Sequence, residues 1–311
     1  MNYKHTEMKL RLQHIVIIAA MLLAVVGCDK FEGDVTAPSY LKIDSIKVVD
    51  NPSDSWSQDL GFFSSDIDAV NVTIWVKGDT AETNLGMYDL PAKIPVLRNG
   101  IITKVQLAPV VKQDGIAGKR IFYPYYNQIT LNDVRLQTDS VTDLGSLQTT
   151  YISRNTMRVL WREFFEPGPN SVSLDTVVER CYATDTVCNG YGCGVIRVAQ
   201  GVKEVNFWSD TTFTINDPQA ILYLEMDVWS DVDFSVGLNN PMYAGGLNQI
   251  RSHMTIYGKP EKGWRKMYIN IGALWSKTYN HYSSIRPYFT ILNNSGKPGN
   301  LFLDNIKLIV M

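Results

Sequence analysis

The sequence has little of what most catalytic sites are made from. Of its 4 histidines, His5 and His14 fall in the basic head of the chain, which leaves His253 and His281. There is no Gly-x-Ser-x-Gly elbow, no His-Glu-x-x-His pair and no phosphate-cradling glycine loop. A Ser-His-Asp constellation therefore has little to draw on. Glycoside hydrolysis asks only for two carboxylates at a set separation. Glu225 and Asp227 come nearest, but they lie about 7 Å apart along one strand face and are expected to be solvated. Charged residues make up only 19% of the chain and the net charge is −2. No segment after the head is strongly basic, which excludes nucleic acid as a partner, because such binding draws on phosphate neutralisation. No stretch keeps a helical period. The longest apolar run, residues 15–27, is roughly a dozen residues, too short to span a bilayer as a helix. The chain reads as a non-enzyme.

Cysteine is scarce as well, with 4 residues, and their positions are informative. Lys4, Lys9 and Arg11, then the apolar run, then Gly27 before Cys28, have the form of a secretory signal. Cys181, Cys188 and Cys193 remain, an odd number for an exported chain. One local disulfide and one buried thiol are expected, with the pairing open. Tetrahedral zinc wants four ligands, and both remaining histidines are distant in sequence. The span Asn189-Gly190-Tyr191-Gly192-Cys193-Gly194 reads as a turn.

What the sequence does have is β texture. Its 311 residues, 45% of them hydrophobic, suffice for two domains with their own cores. Val70, Val72, Ile74 and Val76 alternate with polar residues, the period of a half-buried strand. Thr103, Val105 and Leu107 do the same after Asn99-Gly100, a hairpin signal. Residues 109–126 read as a connection. In the second half, Leu222, Leu224, Met226 and Val228 face one way, and Tyr223, Glu225, Asp227 and Trp229 the other. Phe234, Val236 and Leu238 follow in phase, then Met267, Ile269 and Ile271, then residues 288–292 and 301–310. The expected fold class is all-β: an immunoglobulin- or fibronectin-like sandwich over 40–155 and a jelly-roll sandwich over 156–311. They follow a signal peptide at 1–27 and a polar tether at 28–39.

Val25-Val26-Gly27-Cys28 resembles the lipobox of bacterial lipoproteins, which implies cleavage before Cys28 and its acylation. The acids after it, Asp29, Glu32 and Asp34, are similar to the surface-export signal of some Bacteroidetes lipoproteins, and equally suit a plain spacer. The order of pieces also resembles a group of Bacteroidetes outer-membrane lipoproteins. The carriers are residues 88–97, Gly100, Gly115-Ile116, Arg120 and Tyr123-Pro124-Tyr125-Tyr126. In the second half they are residues 222–227, 235–238, 264–270 and 303–308, the last similar to the closing strand of galactose-binding-like jelly rolls. The resemblance implies an outer-membrane location, facing the cell surface, with the membrane touched only through the lipid. It brings no catalytic motif. In jelly rolls of this kind an early acid and one in the last strand share a structural calcium, which would make Glu163 or Glu166 with Asp304 the candidate site. No other cofactor is implied.

Trp275, Tyr279, His281 and Tyr282 crowd one polar segment. Aromatic faces stack on the C–H faces of sugars while neighbouring polar groups bond the hydroxyls, but such a loop equally anchors into a core. Trp229 with Tyr223 makes a platform if its strand face is open, and packing if it is covered. The first functional expectation is a binding or adaptor subunit whose partners are outer-membrane or other envelope proteins. The alternative is a glycan-binding lipoprotein of a polysaccharide-uptake system, which predicts a coplanar aromatic pair on the jelly roll.

Overall fold

A computed structural model describes residues 37–78, 80–97, 100–167, 177–184, 186–217, 219–241, 249–272, 274 and 284–311. Its regular structure is almost entirely β. Among the described residues no helix is long and apolar enough to cross a membrane. Cys28 and the segments 1–27 and 28–36 lie outside the described residues, as do Trp275, Tyr279, His281 and Tyr282.

The first sandwich sets one sheet of β4 (Thr83–Asp89), β3 (Ala69–Val76), β6 (Gly100–Lys112), β7 (Arg120–Phe122) and β8 (Ile129–Leu136) against shorter strands. These are β5 (Ala92–Val96), β1 (Ser39–Ile43) and β9 (Val141–Asp143), with the pair β2 (Ser45–Val48) and β10 (Ser146–Thr149). Alternation is the cause: Val70, Val72 and Ile74 point inward to meet Leu41, Ile43, Ile94, Val105 and Leu107. Two expectations are corrected here. Asn99 lies outside the described residues, but the strands flanking it are not a hairpin pair: β5 pairs with β1 while β6 pairs with β3, so the chain changes sheets between them. Residues 109–112 continue β6 as strand, in spite of Pro109. The Pro109 carbonyl points toward β7, where it accepts from the Tyr123 N–H, so its nitrogen faces the same way. The β8 partners of β6 end at Leu107 and the β7 partners begin at Val110, so no ladder bond is lost at the proline.

The second sandwich has an inner sheet, β12 (Glu179–Cys181), β13 (Cys193–Val198), β21 (Gly299–Val310), β16 (Leu222–Ser230) and β19 (Arg265–Asn270), with β11 (Arg158–Glu163) also on β21. Its outer sheet is β14 (Glu204–Trp208), β20 (Ser284–Leu292), β17 (Asp233–Asn240) and β18 (Gln249–Ile256), with β15 (Phe213–Thr214) on β20. Leu224, Met226 and Val228 meet Phe234, Val236, Leu238, Phe289 and Ile291 between the sheets.

The far face of the inner sheet is not open. Tyr223 and Tyr268 pack into the same apolar cluster as the first sandwich. They meet Tyr123 edge-on at 5.3 and 4.8 Å between ring centres, and Tyr126 and Tyr151 continue the cluster at 5.1 Å. Such tilted contacts suit the ring quadrupole. Contrary to the solvation expected from sequence, Glu225 is 0% and Asp227 2% exposed. Glu225 accepts from the hydroxyls of Tyr123 (2.7 Å) and Tyr151 (2.8 Å) and pairs with Lys266 at 3.2 Å. Lys266 also donates to Ser64 Oγ at 3.1 Å, and Ser64 donates to Asp227 at 2.7 Å. Lys307 and Asn305 donate to the Phe62 carbonyl at 2.9 and 3.0 Å. Burial raises Glu225, but Lys266, Lys307 and the two tyrosine hydroxyls outweigh it and hold the carboxyl below its ordinary range. Burial, with Lys266 nearby, pushes the Lys307 ammonium down to about 7.

A second tie sits at the β6–β7 turn. Asp114, in the left-handed region at φ 58°, accepts from the Asn270 N–H at 3.0 Å, lies 3.3 Å from His253 Nε2 and pairs with Lys119 at 3.0 Å. Burial alone would raise this carboxyl; bonds from His253, Lys119, Asn270 and Gln113 bring it down to about 2. A folded value below the unfolded one adds stability above about pH 4 that is lost as pH falls toward 2. Asp114→Asn is therefore expected to unfold at lower urea than the parent at pH 7, by about 1–3 kcal/mol, with the gap closing in acid. Equal midpoints at pH 7 would rule out this tie.

Candidate functional site

With the inner sheet covered, the outward face of the outer sheet is, among the described residues, the broad face left for a ligand. Phe207, Val236, Leu238, Phe289 and Ile291 turn into the core, so their neighbours turn out. One row across the sheet is Trp208, Tyr288 and Gly237, in register. The Trp208 and Tyr288 rings are parallel within 5°, with centres 6.0 Å apart. Gly237 beside them adds no side chain to the floor. The next row is Asn206, Thr290 and Ser235, with the Thr290 hydroxyl donating to Asn206 at 2.8 Å and Asn206 donating to Glu204 at 2.7 Å. On the other side Arg286 stands opposite Asn239, and its guanidinium lies 4.8 Å from the Trp208 ring centre.

The face is recessed. Trp208, Asn206, Arg286 and Thr290 are half-buried, whereas Tyr288 is 7% and Asn239 1% exposed. Asn239 Oδ1 is buried with no hydrogen-bond partner among the described residues. Such an orphan acceptor carries a desolvation cost that a ligand hydroxyl would relieve. The arrangement offers an aromatic strip flanked by amide, hydroxyl and guanidinium groups.

Trp208 and Arg286 were not singled out in the sequence, although Glu204-Val205-Asn206-Phe207-Trp208 carries the period-two signal that puts Trp208 opposite the core-facing Phe207. Trp275, Tyr279, His281 and Tyr282 lie outside the described residues, and the described aromatic candidates, Trp229 and Tyr223, lie on the inner sheet. Trp229 sits near the end of β16, an interior strand of the inner sheet, stacked on Phe302 at 5.3 Å and bonded through Nε1 to the Pro260 carbonyl at 3.1 Å. Its strand neighbour Tyr223 is buried between the sandwiches, so the two form no common platform.

The acids expected around a calcium each take backbone N–H groups. Glu163 accepts from Phe165, Glu166 from Tyr191, and Asp304 from Asn189 and Asn305, at 2.7–3.3 Å. Burial, with repulsion from Asp227, pushes Asp304 up to about 8. Among the described residues no group of three or more His, Cys, Asp and Glu is placed to hold a metal ion.

The glycine-rich span is a tight packing device. A Cβ on Gly194 would meet the Phe165 ring at 2.5 Å and one on Gly192 the Phe165 carbonyl oxygen at 2.3 Å. Gly194→Ala is thus expected to lose about 1–3 kcal/mol, read as a lower urea midpoint; an unchanged midpoint would show that Phe165 can move aside. The loop beside it walls an open pocket of about 420 Å³ lined by Tyr182, Thr184, Cys188, Asn189 and Tyr191. The Asn189 side chain also donates to Asp227 at 3.2 Å.

No protein-family model matches the chain, and no curated protein matches it. Among solved structures, it is similar to the family 30 carbohydrate-binding module of a cellulosomal cellulase of Clostridium thermocellum, at 15% identity over 48% of this chain and 92% of that one, TM-score 0.34. It is similar to TmCBM61 in complex with β-1,4-galactotriose, at 18% identity over 46% and 89%, TM-score 0.28. A xylan-binding domain of family 22 is similar at 11% identity over 49% and 93%, TM-score 0.31.

Proposed function

We propose that this chain binds a glycan, without catalysis, along the outward face of the outer sheet. The observation that carries the reading is the parallel Trp208–Tyr288 pair on a recessed floor. Sugar rings present a flat C–H face that stacks on aromatic rings, and their hydroxyls need donors and acceptors to either side. Asn206, Thr290, Asn239 and Arg286 supply both kinds. A glycan role is favoured over an envelope adaptor because the tyrosine-rich face of the inner sheet is spent inside the chain. Anchored through Cys28 at the outer membrane, such a protein would hold polysaccharide near an uptake system.

The test is retardation of the purified protein in native gels cast with soluble polysaccharides: xylan, mixed-linkage glucan, galactan, mannan and pectin. At least one gel is expected to slow the protein relative to a gel without polymer. Equal mobility in every gel would overturn the reading.

A further inference from the structure

Cys181 and Cys193 stand directly opposite one another in the antiparallel β12–β13 ladder. Opposed residues in such a ladder have Cα atoms about 4.5–5.5 Å apart, inside the span a disulfide bridges, and their side chains leave the same face. The thiol of Cys193 is within hydrogen-bonding reach of Cys181. Cys193 is 0% exposed and Cys181 half-buried. Cys188 is held differently: it sits in the loop between the strands, accepts from Asn189 Nδ2 at 3.2 Å and lines the pocket.

From this geometry we infer that Cys181 and Cys193 form a cross-strand disulfide in an oxidising compartment, and that Cys188 stays a free thiol. The two thiols give up two protons and two electrons as the S–S bond forms. The electrons reduce the disulfide of a thiol–disulfide oxidant, such as oxidised glutathione or a periplasmic-type oxidase, to two thiols.

The bond closes residues 182–192 into a loop, and that loop reaches well beyond the pocket. The Asn189 N–H caps Asp304 at 3.0 Å, its side chain bonds Asp227, and the Thr186 carbonyl accepts from Trp264 Nε1 at 2.9 Å. The crosslink thus holds the wall of the pocket and the rim of the buried charge network in one frame.

The test equilibrates the full chain with a mixture of oxidised and reduced glutathione, quenches it with acid, and alkylates it in denaturant so that burial hides no thiol. Chymotryptic cleavage after Tyr182 and Tyr191 puts each cysteine in its own peptide. The expected result is a linked pair carrying Cys181 and Cys193 with Cys188 alkylated, and the same linked pair in Cys188→Ala. Cys188 linked to Cys181 or Cys193, or Cys181, Cys188 and Cys193 all alkylated at every ratio of the mixture, overturns the inference.

Discussion

Glu225→Leu is expected to cost about 3–5 kcal/mol, the largest effect of any single substitution considered for this chain. The carboxylate is fully buried between the sandwiches and meets Tyr123, Tyr151 and Lys266 within 3.2 Å. Removing it leaves Lys266, 3% exposed, without its ion-pair partner, beside the buried Lys307, and leaves two hydroxyls without their acceptor. An uncompensated buried charge costs far more than the pair itself contributes. The sign is settled by a second variant: Glu225→Leu combined with Lys266→Met removes both charges and is expected to recover most of the loss. Urea unfolding followed by tryptophan fluorescence measures both. A single variant within about 1 kcal/mol of the parent would mean that the network is solvated, and the two sandwiches then would not share a rigid interface.

This network also marks how far the sequence could be read. The strand at residues 222–230 was legible, and so was its division into an apolar face and a face with Tyr223, Glu225, Asp227 and Trp229. What covers the second face was not, because its partners are remote in sequence: Tyr123 and Tyr151 stand 102 and 74 residues from Glu225. An acid on an alternating strand looks the same whether water or a second domain faces it. The Tyr123-Pro124-Tyr125-Tyr126 run was visible as a carrier of resemblance, and its use, packing onto Tyr223 and Tyr268, is a tertiary fact. The hairpin expected at Asn99-Gly100 failed for a similar reason: local turn chemistry does not say which sheet the next strand joins. At the candidate site, periodicity in 204–208 was enough to give Trp208 an outward direction. Its alignment with Tyr288, 80 residues on in sequence, depends on β14 pairing with β20, which no local pattern specifies.

Trp208→Ala is expected to weaken glycan binding by about 2–4 kcal/mol, or roughly thirty- to a thousandfold. Trp208, half-buried, supplies half of the aromatic strip, and binding energy concentrates on aromatic anchors that a ligand covers in a recessed face. Tyr288→Ala acts on the same strip, but Tyr288 is nearly buried, so its loss also disturbs the sheet, and the Trp208 variant is the cleaner probe. Phe207 on the opposite side of β14 stacks on Phe289 at 4.8 Å and holds the strand in place, so truncating Trp208 leaves the core intact. Unfolding by urea should show a change of no more than about 1 kcal/mol. Trp229, on the other sheet and engaged with Phe302 and the Pro260 carbonyl, is the control: Trp229→Ala should bind as the parent does.

The most direct measurement is a calorimetric titration of the parent, Trp208→Ala and Trp229→Ala with oligosaccharides of whichever polysaccharide retards the protein. A glycan site on the outer sheet predicts saturable binding by the parent and by Trp229→Ala, and loss of at least thirtyfold in affinity, about 2 kcal/mol, in Trp208→Ala. Parent-like affinity in Trp208→Ala, or its loss in Trp229→Ala alone, would contradict that placement.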